Sequence, residues 1–225
     1  MFKRVTVSAL LLAFSFGSIS LSGCASTGIA VKEKFGYAKR EQLVDEVKDA
    51  RDEQTQAKQQ FESALAEFLA VTDTTKNPTV AELEKRYSAL KKEYDRSVSA
   101  AGDVRGQIKD VDRVATALFK EWNEELSQYS SPDLRRAAER QLNDTQRQYD
   151  RLIGAMRAAE AKMDPVLAAF KDQVLFLKHN LNARAIASLQ DTVGRVESDV
   201  QRLVAEMESS INEANSFIQQ MGVTE

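Results

Sequence analysis

Residues 83–129 read LEKRYSALKKEYDRSVSAAGDVRGQIKDVDRVATALFKEWNEELSQY, and their apolar side chains recur at alternating steps of four and three. This spacing is typical of the seam along which one helix packs against another. Twelve of the fourteen seam positions are apolar, whereas an overall apolar content of 43 % would give about six. The seam consists of Leu83, Tyr87, Leu90, Tyr94, Ser97, Ala101, Val104, Ile108, Val111, Ala115, Leu118, Trp122, Glu125 and Tyr129.

Similar seams run through three further stretches, residues 43–71, 138–170 and 189–221. The boundaries between them carry helix-start signals. Thr79-Val80-Ala81-Glu82 is a capping box, and Ser131-Pro132-Asp133 offers an N-cap, a proline suited to the first turn and a carboxylate at the positive helix end. The sequence therefore predicts four long helices.

Nine glycines, three prolines and few aromatic residues in 225 positions fit a chain that is mostly helical. We predict an all-α fold of long antiparallel helices with heptad seams, an elongated up-down-up-down four-helix bundle. The alternative is three helices with a very long, kinked last helix. Three alternatives remain for the second half of the chain: it reverses near Asp164 and Pro165, it reverses near Asn180, or it does not reverse. The heptad phase runs unbroken through Pro165, which favours a kink there and a turn near Asn180.

Two apolar runs, residues 166–170 and 174–177, are apolar on more than one helical face. A helix that is apolar on several faces is normally covered on several sides. We therefore expect this stretch to lie at the centre of the core.

The first 23 residues have the layout of a secretory signal peptide. Lys3 and Arg4 precede a short apolar run over residues 5–16, which is too short for a permanent membrane span of about 20 residues. We assign residues 1–23 to the signal peptide, 24–32 to a short tether and 33–225 to the helical coiled-coil domain.

Leu21-Ser22-Gly23-Cys24 resembles the bacterial lipobox. The resemblance implies that the Cys24 thiol carries lipid with fatty acyl chains such as palmitate, and that the protein is held on a membrane. Ala25, in place of Asp, implies the outer membrane with the domain facing the periplasm. The alternative is that Cys24 is an ordinary small residue of a signal peptide cut elsewhere. Cys24 is the single cysteine, so no disulfide within the chain is expected.

Residues 170–190, FKDQVLFLKHNLNARAIASLQ, follow the lipobox and the heptad helices. In this combination the chain resembles an uncharacterised family of bacterial lipoproteins with a domain of unknown function. The resemblance implies a helical, membrane-anchored protein and brings no catalytic residues.

The composition argues against nucleic-acid binding, metal binding and the common catalytic motifs. Lysines and arginines number 31 and acidic residues 34, which offers no basic excess for nucleic acid. A transition-metal site needs several His and Cys ligands, but His179 is the single histidine. The sequence contains no glycine-rich phosphate loop and no nucleophile elbow. We therefore expect no enzyme, no catalytic residue, no metal and no cofactor.

His179, Asn180, Asn182 and Arg184 form a polar cluster within the most apolar stretch. They are candidate contacts for a partner or ligand, or else they form a helix corner or a polar network that fixes the register of the helices. The sequence thus predicts a membrane-anchored periplasmic lipoprotein acting as a non-enzymatic scaffold or adaptor, which binds an envelope protein or copies of itself. The alternative is a ligand-binding helical module with a site between helices near residues 166–184.

Overall fold

The structure, a computed structural model, describes residues 39–73, 79–180 and 182–222. The predicted signal peptide 1–23 and the tether 24–32, including the lipidation site Cys24, lie outside the described residues. The predicted helical domain 33–225 is described from Lys39 onward.

Four α-helices follow one another along the chain, and the described ranges contain no strand. They are α1 (Lys39–Thr72), α2 (Val80–Glu125), α3 (Pro132–His179) and α4 (Ala183–Gln220), and a 3-10 turn, Leu126–Gln128, extends α2. Each helix packs against the next, and α4 packs back against α1. The predicted all-α four-helix bundle is confirmed.

The helix-start signals act as the sequence predicts. The Thr79 hydroxyl accepts the Glu82 N–H at 3.3 Å, and the Glu82 carboxylate accepts the Thr79 N–H at 2.7 Å. The Ser131 hydroxyl accepts the Leu134 N–H at 3.4 Å, and Pro132 is the first residue of α3. Side-chain acceptors thus satisfy backbone donors that have no partner inside the helix.

The chain reverses direction between α3 and α4, at Asn180. Pro165 lies inside α3, which continues through it, so neither the turn near Asp164 nor the undivided last helix is found. Two contacts between α1 and α4 establish their antiparallel packing. Lys58 of α1 pairs with Glu208 of α4. Arg51, which precedes Lys58 in α1, bonds to Asn215, which follows Glu208 in α4.

Most of the seam residues join in one main core. Nearly all predicted seam positions are buried, and the largest fully buried side chains include Phe61, Phe68, Phe170 and Phe217. Phe68 of α1 meets Phe170 of α3 edge to face, with ring centroids 6.5 Å apart. Burying one such side chain contributes about 1.5–3 kcal/mol, so the core is the main source of stability.

The end of α2 and the start of α3 form a separate hairpin, which we call the α2–α3 tip (residues 119–142). Its side chains make a small second core, in which Leu126, Ala138 and Leu142 are buried against Phe119 and Trp122. Here the heptad prediction is wrong. Glu125 and Tyr129 are exposed, and Leu126, one α-helical turn after Trp122, takes the buried position.

The main core contains a polar pair without partners. Gln54 of α1 and Ser210 of α4 are fully buried, and neither the Gln54 amide nor the Ser210 hydroxyl has a hydrogen bond. The two cross-helix contacts at Arg51 and Lys58 bracket Gln54 and place it level with Ser210. A buried polar group without a partner costs about 1–3 kcal/mol, so this layer lowers stability.

Replacing Gln54 by Met should stabilise the protein, because it removes two unpartnered polar atoms and keeps an unbranched side chain of similar length. We expect the free energy of unfolding to rise by about 1–3 kcal/mol, measured by denaturant titration. Gln60→Met on the same helix is the matched control. The Gln60 amide donates to the Glu93 carboxylate at 2.8 Å, so this change should destabilise. Loss of stability in both variants would contradict the prediction.

Glu93 of α2 links α1 to α2. Its carboxylate accepts hydrogen bonds from the Gln60 amide and, at 3.3 Å, from the Ser63 hydroxyl, and it pairs with Arg96 at 2.8 Å. The Gln60 hydrogen bond, helped by Arg96 and opposed by burial, holds the pKa of Glu93 below its ordinary value of 4.5. The ionised form is therefore the one that the folded state stabilises.

This lowered pKa predicts a pH-dependent contribution to stability. The contribution is complete above pH 4.5 and is lost as the pH falls through the folded-state pKa, because the unfolded carboxyl takes up its proton first. Glu93→Gln should therefore lower the unfolding free energy at neutral pH. The difference in unfolding free energy between this variant and the wild type should become smaller at acidic pH. Glu84→Gln, an exposed position of the same helix, is the control. A gap that stays constant with pH would refute this assignment.

Candidate functional sites at the two ends of the bundle

The turn between α3 and α4 brings the four predicted contact residues together in what we call the corner (residues 175–180 and 182–184). Two of the four serve as helix caps. The Asn180 N–H donates to the Leu177 carbonyl at 3.1 Å, and its side-chain amide donates to the Phe176 carbonyl at 3.0 Å. The Asn182 side chain accepts the Ala185 N–H at 3.0 Å and caps α4. These bonds support the interpretation that both asparagines stabilise the helix corner.

The other two residues, His179 and Arg184, are exposed at the same corner. The exposed Lys178 lies beside them, so the rim of the corner carries positive charge. No hydrogen bond between these side chains organises them into a pocket within the described residues. Their exposure leaves them accessible to a partner, and their role as contacts stays a prediction.

Two large apolar side chains of the corner are exposed, which the sequence analysis did not predict. Leu175 is 46 % exposed and Phe176 38 %, whereas Val174 and Leu177 are buried. The expectation that residues 174–177 are covered on several sides is therefore wrong. Val174 and Leu177 share the face of α3 that meets the other helices, and the face that carries Leu175 and Phe176 is open to solvent.

An open groove lies at the opposite end of the bundle from the corner. It has a volume of about 240 Å³ and lies between the start of α1 and the α2–α3 tip. The side chains that line it are Arg40, Leu118, Glu121, Trp122, Glu125, Tyr129, Ala138 and Gln141.

The alternative prediction is a ligand site between helices near residues 166–184. In that region Val166, Phe170 and Leu177 pack into the core, so their packing gives no support to a ligand site there.

The start of α1 is fastened at this end by two cations. Lys39 pairs with Glu121 near the C-terminus of α2 at 2.6 Å. Arg40 donates to the carbonyl of Met221, just beyond α4, and Gly222 follows with a φ of 70° that glycine adopts without strain. Positive charge is favourable at both helix ends, because the last carbonyls of a helix lack partners within it.

A buried phenol joins α2 to α3 near the base of the tip. The Tyr149 hydroxyl donates to the Asp112 carboxylate at 2.5 Å, and Arg157 pairs with the same carboxylate at 3.2 Å. Burial, followed by the hydrogen bond to Asp112, raises the pKa of Tyr149 far above its ordinary value. The phenol therefore stays protonated and acts as a fixed donor between the helices.

Within the described residues, no three His, Cys, Asp or Glu side chains come close enough together to hold a metal ion. No helix in those ranges combines the length and the apolar character needed to cross a membrane.

The chain belongs to the family described as Protein of unknown function (DUF2959), whose model matches residues 29–221. The match covers all four helices and confirms the expected membership of an uncharacterised family with a domain of unknown function. Neither the curated proteins nor the solved structures contain a match to this chain.

The caps at the corner predict different outcomes for neighbouring substitutions. Asn182→Ala removes the acceptor for the Ala185 N–H and should lower the unfolding free energy by about 0.5–2 kcal/mol. This corresponds to a loss of about 2–4 °C in Tm for each kcal/mol, measured by circular dichroism. His179→Ala, at an exposed position three residues earlier, should leave Tm unchanged. An equal loss of Tm in both variants would show that His179 also holds the corner together.

Proposed function

We propose that this member of the family is a lipoprotein, anchored through Cys24 in the outer membrane and facing the periplasm, that acts as a non-enzymatic helical scaffold or adaptor. In this proposal the corner docks an envelope protein, and the bundle sets the distance between that protein and the membrane. The observation that carries the proposal is the exposed apolar pair Leu175 and Phe176 beside a cationic rim.

The exposed pair differs from most large apolar side chains of the bundle. The helices bury most such side chains in the main core and in the tip, yet Leu175 and Phe176 are adjacent and open to solvent. Exposed apolar side chains grouped at one place favour a protein contact, and aromatic residues are enriched in such contacts.

The charge of the rim indicates which kind of partner surface would bind there. Lys178, His179 and Arg184 are exposed around the corner, and basic residues attract a partner that carries carboxylates. We therefore propose that the partner presents an apolar socket with an acidic border. Charged residues at such a border speed association more than they add affinity.

The position of the corner supports the adaptor role. The described chain begins at Lys39, at the end of the bundle opposite the corner, and Cys24 precedes Lys39 by fifteen residues. The 48 residues of α3 extend over about 70 Å. An anchor at Cys24 would therefore hold one end of the bundle near the membrane and leave the corner available at the other end.

The proposal is tested by placing a photo-crosslinking residue at Phe176 of the intact lipidated protein in cells. We expect one envelope protein to be captured in near-stoichiometric yield. The matched control carries the same residue at Val98, which is 43 % exposed in the middle of α2, and should capture none. Identical capture at both positions, or none at either, would overturn the adaptor role.

Two further outcomes separate the parts of the proposal. Capture of a second copy of the chain at Phe176 would replace the adaptor by a homo-oligomeric scaffold. Cys24→Ser should move the protein from the membrane fraction to the soluble periplasmic fraction and lower the capture yield. A Cys24→Ser protein that stays with the outer membrane would refute the lipid anchor and leave the crosslink at Phe176 as an independent result.

A further inference from the structure

We infer that the α2–α3 tip docks on the lipid surface, with Tyr129 and Leu134 entering the headgroup region. The inference rests on the lipid anchor of the proposed function, and it assigns the tip a second, non-covalent contact with the same membrane. It concerns the end of the bundle opposite the corner.

The tip presents two apolar side chains to solvent on either side of its turn. Tyr129 is 43 % exposed and Leu134 is 60 % exposed. Between them lie Ser130, Ser131 and Pro132, which carry no charge, and the acidic Asp133. A tyrosine suits the boundary of a membrane, because its ring is apolar and its hydroxyl is polar, and leucine adds apolar area.

The tip has a small core of its own, which Phe119 joins to the main core. Leu126, Ala138 and Leu142 pack on Phe119 and Trp122 in their own cluster, and the Ser131 hydroxyl caps α3 within the turn. Tyr129 and Leu134 are therefore held in place before any contact with lipid. A preordered surface loses little conformational freedom on binding.

The tip and the start of the described chain lie at the same end. Lys39 pairs with Glu121 at the base of the tip, and Arg40 lines the groove together with Trp122 and Tyr129. Lys39 follows Cys24 by fifteen positions, which gives a reach of at most about 50 Å when fully extended. A lipid at Cys24 therefore keeps the tip close to the bilayer and raises its effective concentration there.

The charges next to Leu134 are compatible with a lipid surface. Asp133 pairs with Arg136, and Glu139 pairs with Arg135 at 3.3 Å. Both carboxylates around Leu134 are thus compensated by arginines, so that the start of α3 does not repel anionic headgroups. The exposed Arg140, one turn further along, adds a cation that such headgroups attract.

Fluorescence quenching tests this inference on the full-length lipidated protein. Trp122 is the single tryptophan, so Trp122→Phe gives a background without tryptophan. On that background, Tyr129→Trp reports on the tip and Phe176→Trp reports on the corner. Each protein is reconstituted in phosphatidylethanolamine–phosphatidylglycerol vesicles whose acyl chains carry bromine. We expect quenching to remove more than half of the emission at position 129 and none at position 176.

A second pair of variants checks the contact itself. In the Tyr129→Trp protein, Leu134→Glu should at least halve the quenching, because it puts a carboxylate at the lipid surface. Val98→Glu, at an exposed apolar position in the middle of α2, should leave the quenching unchanged. Absence of quenching at position 129 would overturn the inference. Equal quenching at both positions would also overturn it, because the bundle would then lie along the membrane.

Failure of the lipid anchor gives a different signal. Cys24→Ser should reduce co-sedimentation with the vesicles several-fold. If it sediments like the wild type, the anchor is refuted, and the quenching at position 129 still decides whether the tip meets lipid. Capture of a second copy by a photo-crosslinker at Tyr129, with no quenching there, would show that the tip binds another chain and overturn the lipid assignment.

Discussion

An apolar seam on a helix in water is unstable by itself, and each of the four helices is covered only by its neighbours. Isolated helices gain little from their backbone hydrogen bonds, so that most helical stability comes from packing. The requirement is most evident at Phe68, whose ring meets Phe170 on a helix distant in sequence. The contact joins α1 to α3, so this part of the core exists only when both helices are packed together.

The polar contacts between helices fix the register of the seams more than they stabilise them. Arg105 of α2 reaches both Glu160 and Asp164 of α3, at 3.4 and 2.5 Å, and Lys58 of α1 reaches Glu208 of α4. Such partly exposed pairs contribute about 0–1 kcal/mol each. A shift of one helix by a turn would separate the contacts that this helix makes, whereas the apolar seams tolerate such a shift because they repeat. Directional contacts at the surface thus supply the specificity that a repetitive core lacks.

Periodicity predicted what each helix does locally, and it failed where the result depends on neighbours. The seams, the Thr79 capping box and the Ser131 cap could be read from residue types, because each depends on a few adjacent positions. The exposure of Phe176 could not, since apolarity does not indicate whether another helix lies opposite. The arrangement of the neighbouring helices around each face, which periodicity does not encode, decides whether such a side chain is buried.

The same consideration explains why the candidate sites lie at the ends of the bundle. In its middle, every helix has two neighbours, and a seam of ordinary width is fully covered. At the ends the helices stop at different levels: Lys39 begins α1 opposite Glu121, so α2 continues past it through Trp122 and the 3-10 turn. Apolar side chains that extend beyond their neighbours must pack among themselves, as Leu126 does, or remain exposed. The arrangement of the helices at the two ends thus determines where the surfaces of this protein are available for binding.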